Sequence, residues 1–220
     1  MQNLKYKLLA RGTLRVVRLK YRKRKVSGNV LNEPCVYLCR HRDMIGVVQA
    51  FSDIRTVLRP WVLNCFCSYR EAKAQLENYT FSKRLKKGKV YCSIMSSLCG
   101  RVITAYVKNV QGIPVYRGED ASKSILTIKQ SVRALEENQS IVIFVDVDYA
   151  DENERDLGEI YKGFYAVDKL YYRRNKKHLP FVPVYANNTE TVIHAPLYFS
   201  DNNRESVFEK VAQGIYNKVI

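Results

Sequence analysis

The stretch Cys35-Val-Tyr-Leu-Cys-Arg-His-Arg-Asp-Met-Ile-Gly46 passes from a strand into a helix. Val36 to Cys39 is a short apolar run with β-branched and aromatic members, and it reads as a buried strand. After Arg40-His41-Arg42-Asp43, the residues Met44, Val47, Val48 and Phe51 recur at helical spacing. Such a junction exposes side chains at the carboxyl end of a sheet, where open α/β folds put their sites. His41 stands there with a carboxylate two residues on and an arginine on either side. An imidazole takes up a proton near neutral pH, and arginine forks hold anionic oxygens. A histidine capping a turn inside a solvated charge cluster would carry the same residues, so this stretch alone leaves both readings open.

Outward from it, strand-like and helix-like runs alternate. Trp61–Phe66 reads as a second strand. The spacing predicts helix within Leu98–Val107. Ile113–Tyr116 suits a short strand at a start or an edge, because Pro114 removes a ladder hydrogen bond. Ala121–Asn138 is helical, with Ile125, Ile128, Val132 and Leu135 on one face. Ser140–Val145 is a strand, with Asp146 at its end, followed by a run of acids from Asp148 to Glu159 that reads as a solvated loop. A helix ending near Tyr172, strands at Phe181–Tyr185 and Thr191–Phe199, and a closing helix at Arg204–Val219 complete the order. Alternation of this kind predicts a single α/β domain over residues 26–220, with a mixed, mostly parallel central sheet flanked by helices. Residues 67–96 exceed what a strand and one helix require. They read as an inserted element, apolar at Leu76, Phe81 and Leu85 and basic from Lys83 to Lys89.

The 220 residues carry 37 Lys and Arg against 21 Asp and Glu, a formal charge of +16. So large an excess calls for a polyanionic neighbour: nucleic acid, an anionic membrane face or a phosphorylated small molecule. Residues 1–25 hold ten of the bases and no acid, interleaved with leucine and valine. They predict a basic, partly amphipathic helix, suited to lying on an anionic membrane or to packing on the domain with its bases in water. The absence of an RNP-like aromatic strand or a helix-turn-helix pattern tells against nucleic acid. No apolar run is expected to reach the ~18 to 20 residues of a bilayer span, and no signal peptide is expected, which together predict a cytoplasmic protein. The six cysteines form no C-x-x-C pair and read as reduced, mostly buried residues; with three histidines, a zinc site is not expected.

Four pieces stand in a telling order: His41 after a strand, Gly112-Ile-Pro-Val-Tyr-Arg117, Ile143-Phe-Val-Asp146, and Lys162-Gly163 leading to Val182-Pro-Val184. Together they resemble the glycerolipid acyltransferase family, the lysophosphatidic acid and glycerol-3-phosphate acyltransferases, over about residues 30 to 200. That family's first motif has an aspartate five residues after the histidine, where this chain has Gly46. Its third reads Phe-Pro-Glu-Gly-Thr, where this chain has Phe144-Val-Asp-Val-Asp148. The resemblance implies transfer of an acyl chain from a coenzyme A or acyl-carrier-protein thioester to the hydroxyl of a lysophospholipid or related phosphorylated acceptor, with no cofactor. It implies His41 as general base, with Asp43 the carboxylate at hand to orient it. It further implies Arg117 and Gly112 at the acceptor phosphate, Asp146 at an acceptor hydroxyl, and Arg42 and Lys162 as further anion contacts. Such an enzyme would work at the inner membrane face. With the motif acids changed, the alternative is an acyltransferase-like protein that binds lipid or acyl carrier without catalysis.

Overall fold

The computed structural model describes residues 24–42, 45–116, 121–146, 160–200 and 202–218, together with Gly12, Arg15 and Leu19. The elements run β1 (Lys25–Ser27), β2 (Val36–Cys39), α1 (Ile45–Asp53), β3 (Leu58–Leu63), α2 (Tyr69–Gln75) with a π-helical continuation (Leu76–Arg84), and α3 (Lys89–Asn109). Then come β4 (Ile113–Val115), α4 (Ala121–Glu136), β5 (Ser140–Phe144), α5 (Tyr165–Asn175), β6 (Phe181–Ala186), β7 (Glu190–Ile193) and α6 (Arg204–Tyr216). The seven strands form one sheet in the order β1-β7-β6-β2-β5-β3-β4. Neighbours are parallel except β6 and β7, which are antiparallel. This is the mixed, mostly parallel α/β domain that the alternation predicts.

Alternate residues of the central strands feed two apolar layers, as a pleated strand buried on both faces requires. Val36, Leu38, Ile141 and Ile143 pack with residues of α4, α5 and α6, among them Leu135, Val167 and Phe208. Tyr37, Cys39, Val142 and Val182 face α1 and the end of α3, through Phe51, Ile54 and Val110. A third, smaller cluster joins Leu76, Phe81 and Cys92, holding α3 against the π-helical segment. In α4, Val132 and Leu135 are buried as the periodicity predicts, whereas Ile125 at its start is exposed.

Several boundaries differ from the sequence reading. Strand β3 begins at Leu58, three residues before Trp61, despite Pro60. Arg59, within the strand, is held through its guanidinium, whose Nε donates to the Gln111 carbonyl at 2.9 Å and whose Nη1 donates to Gln139 Oε1 at 3.2 Å. Residues expected to extend it, Asn64 to Phe66, lie instead in a 3-10 turn (Asn64–Cys67). Pro114 does lie on the edge strand β4. At the amino end, Lys25 opens a strand rather than closing a helix, and Gly12, Arg15 and Leu19 are helical and exposed. Helix α3 begins nine residues before Leu98, and it corrects the expectation about bilayer spans. By length and composition alone it is long and apolar enough to cross one, with a mean hydropathy of 1.3 over its best window. The interruption at Arg101 hides this from a search for an unbroken apolar run.

Candidate active site

Three features build the turn after β2. The strand ends at Cys39, and Arg42 takes a left-handed φ of 43°, an uncommon conformation for a residue with a side chain and one that marks a constrained turn. Gly46 then lets α1 approach the turn it has just left. Its N–H donates to the His41 carbonyl at 3.1 Å, and a Cβ on it would lie 1.9 Å from the Arg40 carbonyl oxygen. Finally, the buried carboxylate of Asp146 receives the His41 N–H, at 2.7 Å to Oδ1 and 2.8 Å to Oδ2, and the Arg42 N–H at 3.4 Å. A carboxylate bonded to backbone N–H groups forms charge-assisted bonds, stronger than neutral ones. It fixes where the imidazole leaves the backbone, and the ring packs edge-on to Phe144 at 5.6 Å.

The register shows why these residues meet. Cys39 pairs with Phe144 across parallel strands, so two residues further along both chains His41 and Asp146 come level on the same face. Pro60 pairs with Val142, and Leu63 with Val115, which puts Val115 one residue higher than Phe144. Tyr116 therefore stands at the height of His41, at the carboxyl edge, three strand spacings or ~14 Å away.

Two of the expected site residues, Asp43 and Arg117, lie outside the described residues. The others are placed as follows. Asp146 is at the site, bonded to the turn's amides. Arg42 donates from Nη1 to the Ala186 carbonyl at 2.9 Å, tying the turn to the end of β6. Gly112 lies before β4, at the amino end of that strand and away from the His41 edge. A Cβ there would be 3.0 Å from Val107 and 3.1 Å from Val62, the mark of a packing glycine. Lys162 pairs with Glu205 of α6 at 3.2 Å and lies 5.1 Å over the Phe208 ring, on the face opposite the His41 ring. The sequence reading missed Phe144 as the ring's neighbour and Asp146 as the turn's anchor. Their two-residue spacing was legible, but the β2–β5 pairing that brings them to His41 was not.

The other titratable groups near the strand ends do different work. Burial, and secondarily Asp146, pushes the Cys39 thiol far up, so it is a core side chain and no nucleophile. A second histidine–carboxylate pair, His178 Nδ1 with Asp168 Oδ2 at 2.9 Å, lies before β6 at the opposite edge. Asp168 also accepts the Leu179 N–H, and His178 stacks on Tyr172 at 4.2 Å, so the pair closes the corner between α5 and β6. Among the described residues, no group of three His, Cys, Asp or Glu is placed to hold a metal ion.

No family model and no curated protein matches the chain in sequence. The fold does match a solved structure, that of the 1-acyl-sn-glycerophosphate (LPA) acyltransferase PlsC from Thermotoga maritima. The TM-score is 0.53, over 94% of this chain and 79% of that one. At 10% identity the likeness is one of fold.

Proposed function

We propose that the chain is a membrane-peripheral O-acyltransferase, moving an acyl chain from a coenzyme A or acyl-carrier-protein thioester to the hydroxyl of a phosphorylated lysolipid. The observation that carries the proposal is the strand-end His41, its amide clamped by the buried Asp146 carboxylate, in a fold shared with a lysophosphatidic acid acyltransferase. A hydroxyl attacks a thioester carbonyl well only as its proton is removed. His41 is the base, accepting that proton as the C–O bond forms and the thiolate departs. Arg117, next after Tyr116, is assigned to the acceptor phosphate, and Asp43 to the other ring nitrogen of His41. Asp146, expected to bind an acceptor hydroxyl, is here a positioning residue, because both its oxygens accept backbone N–H groups of the His41 turn.

The test is incubation of the full chain with acyl-coenzyme A or acyl carrier protein thioester and lysophosphatidate, with the product followed by mass spectrometry. His41→Ala should lower kcat by about 10² to 10⁴. A specific observation favours a second reading: position 46 has no room for the family's aspartate. If no product forms but a non-cleavable acyl thioether binds tightly, the chain is an acyl-lipid binder that has lost the reaction. Absence of both product and binding would end both readings.

A further inference from the structure

Helix α3 is turned inside out. Apart from Val107 near its end, the positions it buries, Cys92, Ser96, Gly100 and Thr104, are small. The positions it exposes at the same four-residue spacing are Val90, Ile94, Leu98 and Val102, at 75, 57, 55 and 67% exposure. A helix of a water-soluble domain normally does the reverse, and a contiguous apolar stripe of this kind marks an interaction surface. The small face is used: Gly100 lies against the Lys73 backbone of α2, and Cys92 packs with Leu76 and Phe81. The large face meets nothing in the described structure that buries it.

Position and charge indicate what covers the stripe. The carboxyl end of α3 is level with the amino end of the sheet, where Gly112 donates to the Val107 carbonyl and Tyr106 packs edge-on to Phe51. From there 21 residues of helix rise ~31 Å, against ~20 Å for the six-residue strand β3. The amino half of α3 therefore overshoots the carboxyl edge, the edge at which His41 stands. Just beyond it lies an exposed cluster, Lys83, Arg84, Lys86, Lys87 and Lys89. Between Glu77 and Glu119 the chain has no acid at all. An apolar face on an acid-free stretch of chain, with a basic cluster at one end, complements one kind of surface, acyl chains beneath anionic head groups. A second copy set face to face would bring two strongly basic segments together, which like-charge repulsion opposes.

We propose that the α2–α3 hairpin docks on an anionic phospholipid bilayer, with α3 lying in the interface, its Val90–Val102 stripe in the acyl boundary and the Lys83–Lys89 cluster at the head groups. This deepens the acyltransferase reading by naming the surface that meets the membrane. Its test needs no turnover, so the two readings fail separately.

The experiment is co-sedimentation of the full chain with vesicles of phosphatidylcholine and with vesicles containing 30% phosphatidylglycerol, over a salt series. The wild type should prefer the anionic vesicles and lose affinity as salt rises. The variant Ile94→Gln/Leu98→Gln/Val102→Gln, which alters only exposed positions, should partition about tenfold less or weaker still. Lys86→Glu/Lys87→Glu should weaken the anionic preference. In a Leu98→Trp variant the added indole should shift to the blue on binding and be quenched by lipids brominated in the acyl chain. Unchanged partitioning of the triple variant, or an indole that stays in water on bound vesicles, overturns the proposal. So does a wild-type dimer in solution that the triple variant dissociates, because the stripe would then be a subunit interface.

Discussion

A methyl group at position 46 would collide with the Arg40 carbonyl oxygen, a backbone atom that has no other place to go. Gly46→Ala should therefore cost at least ~3 kcal/mol, the upper end for overpacking, as read from a shift in the urea midpoint. Gly46→Asp, which writes the family's first motif into this chain, should fail in the same way rather than raise turnover. A folded and more active Gly46→Asp protein would show that the turn can open. Removing the buried carboxylate of Asp146 leaves the part-buried His41 and Arg42 N–H groups without their acceptor, a loss of ~1 kcal/mol or more. Asp146→Ala should lower stability and kcat together, with KM for the acyl donor little changed. A third residue, His194, is held below the usual imidazole range by burial. Its folded form binds a proton less readily than its unfolded form, so it adds stability above about pH 6.5, the ordinary imidazole value, that is lost as pH falls through its folded pKa. His194→Gln should flatten that part of the stability–pH curve. A wild-type curve already flat between pH 7 and 5 would contradict this.

Elements are joined here by a few buried polar contacts. Arg24 and Asp53, each with its side chain 4% exposed, pair at 3.1 Å, and Thr191 donates to the same carboxylate at 2.7 Å. Arg24 also donates to the carbonyls of Asn187 and Glu190. One guanidinium thus ties the entry of β1 to α1 and β7. Breaking a buried pair strands a charge, so Asp53→Ala should cost ~3–5 kcal/mol, and the double variant with Arg24→Met should recover part of it. A loss for the double variant equal to the sum of the two single losses would mean the pair is uncoupled. Phe81 and Leu85, four residues apart, have opposite environments: Phe81 is in the small cluster of the hairpin, whereas Leu85 is half exposed. Phe81→Ala should destabilise by ~3 kcal/mol and Leu85→Gln by no more than ~0.5 kcal/mol, measured by thermal or urea unfolding.

For the whole molecule, the excess of bases falls into two blocks, residues 1–25 and the acid-free stretch that contains α3. If both meet the same membrane, removing residues 1–23 should weaken anionic vesicle binding without unfolding the domain, because Arg24 and its network are kept. Unchanged vesicle affinity would leave the work to the hairpin. Removing Arg24 as well should lower the unfolding midpoint, which separates anchoring from folding.

The order of elements, the mixed sheet, the edge position of β4 and the strand-end setting of His41 were written in local pattern. Apolar runs of period two, helical spacing and the limits of proline act over a few residues, and so can be read along the chain. Pairing decided the rest. That Asp146 reaches the His41 amide follows from β2 lying beside β5, a neighbour relation across 105 residues of sequence that no local signal encodes. The same holds for Lys162, which the chain order brought close to the motifs and the fold sent to the opposite face. It holds most clearly for α3. Periodicity shows two faces, one small and one large, but only the packing of α2 against Gly100 decides that the small face is buried and the apolar one left outside.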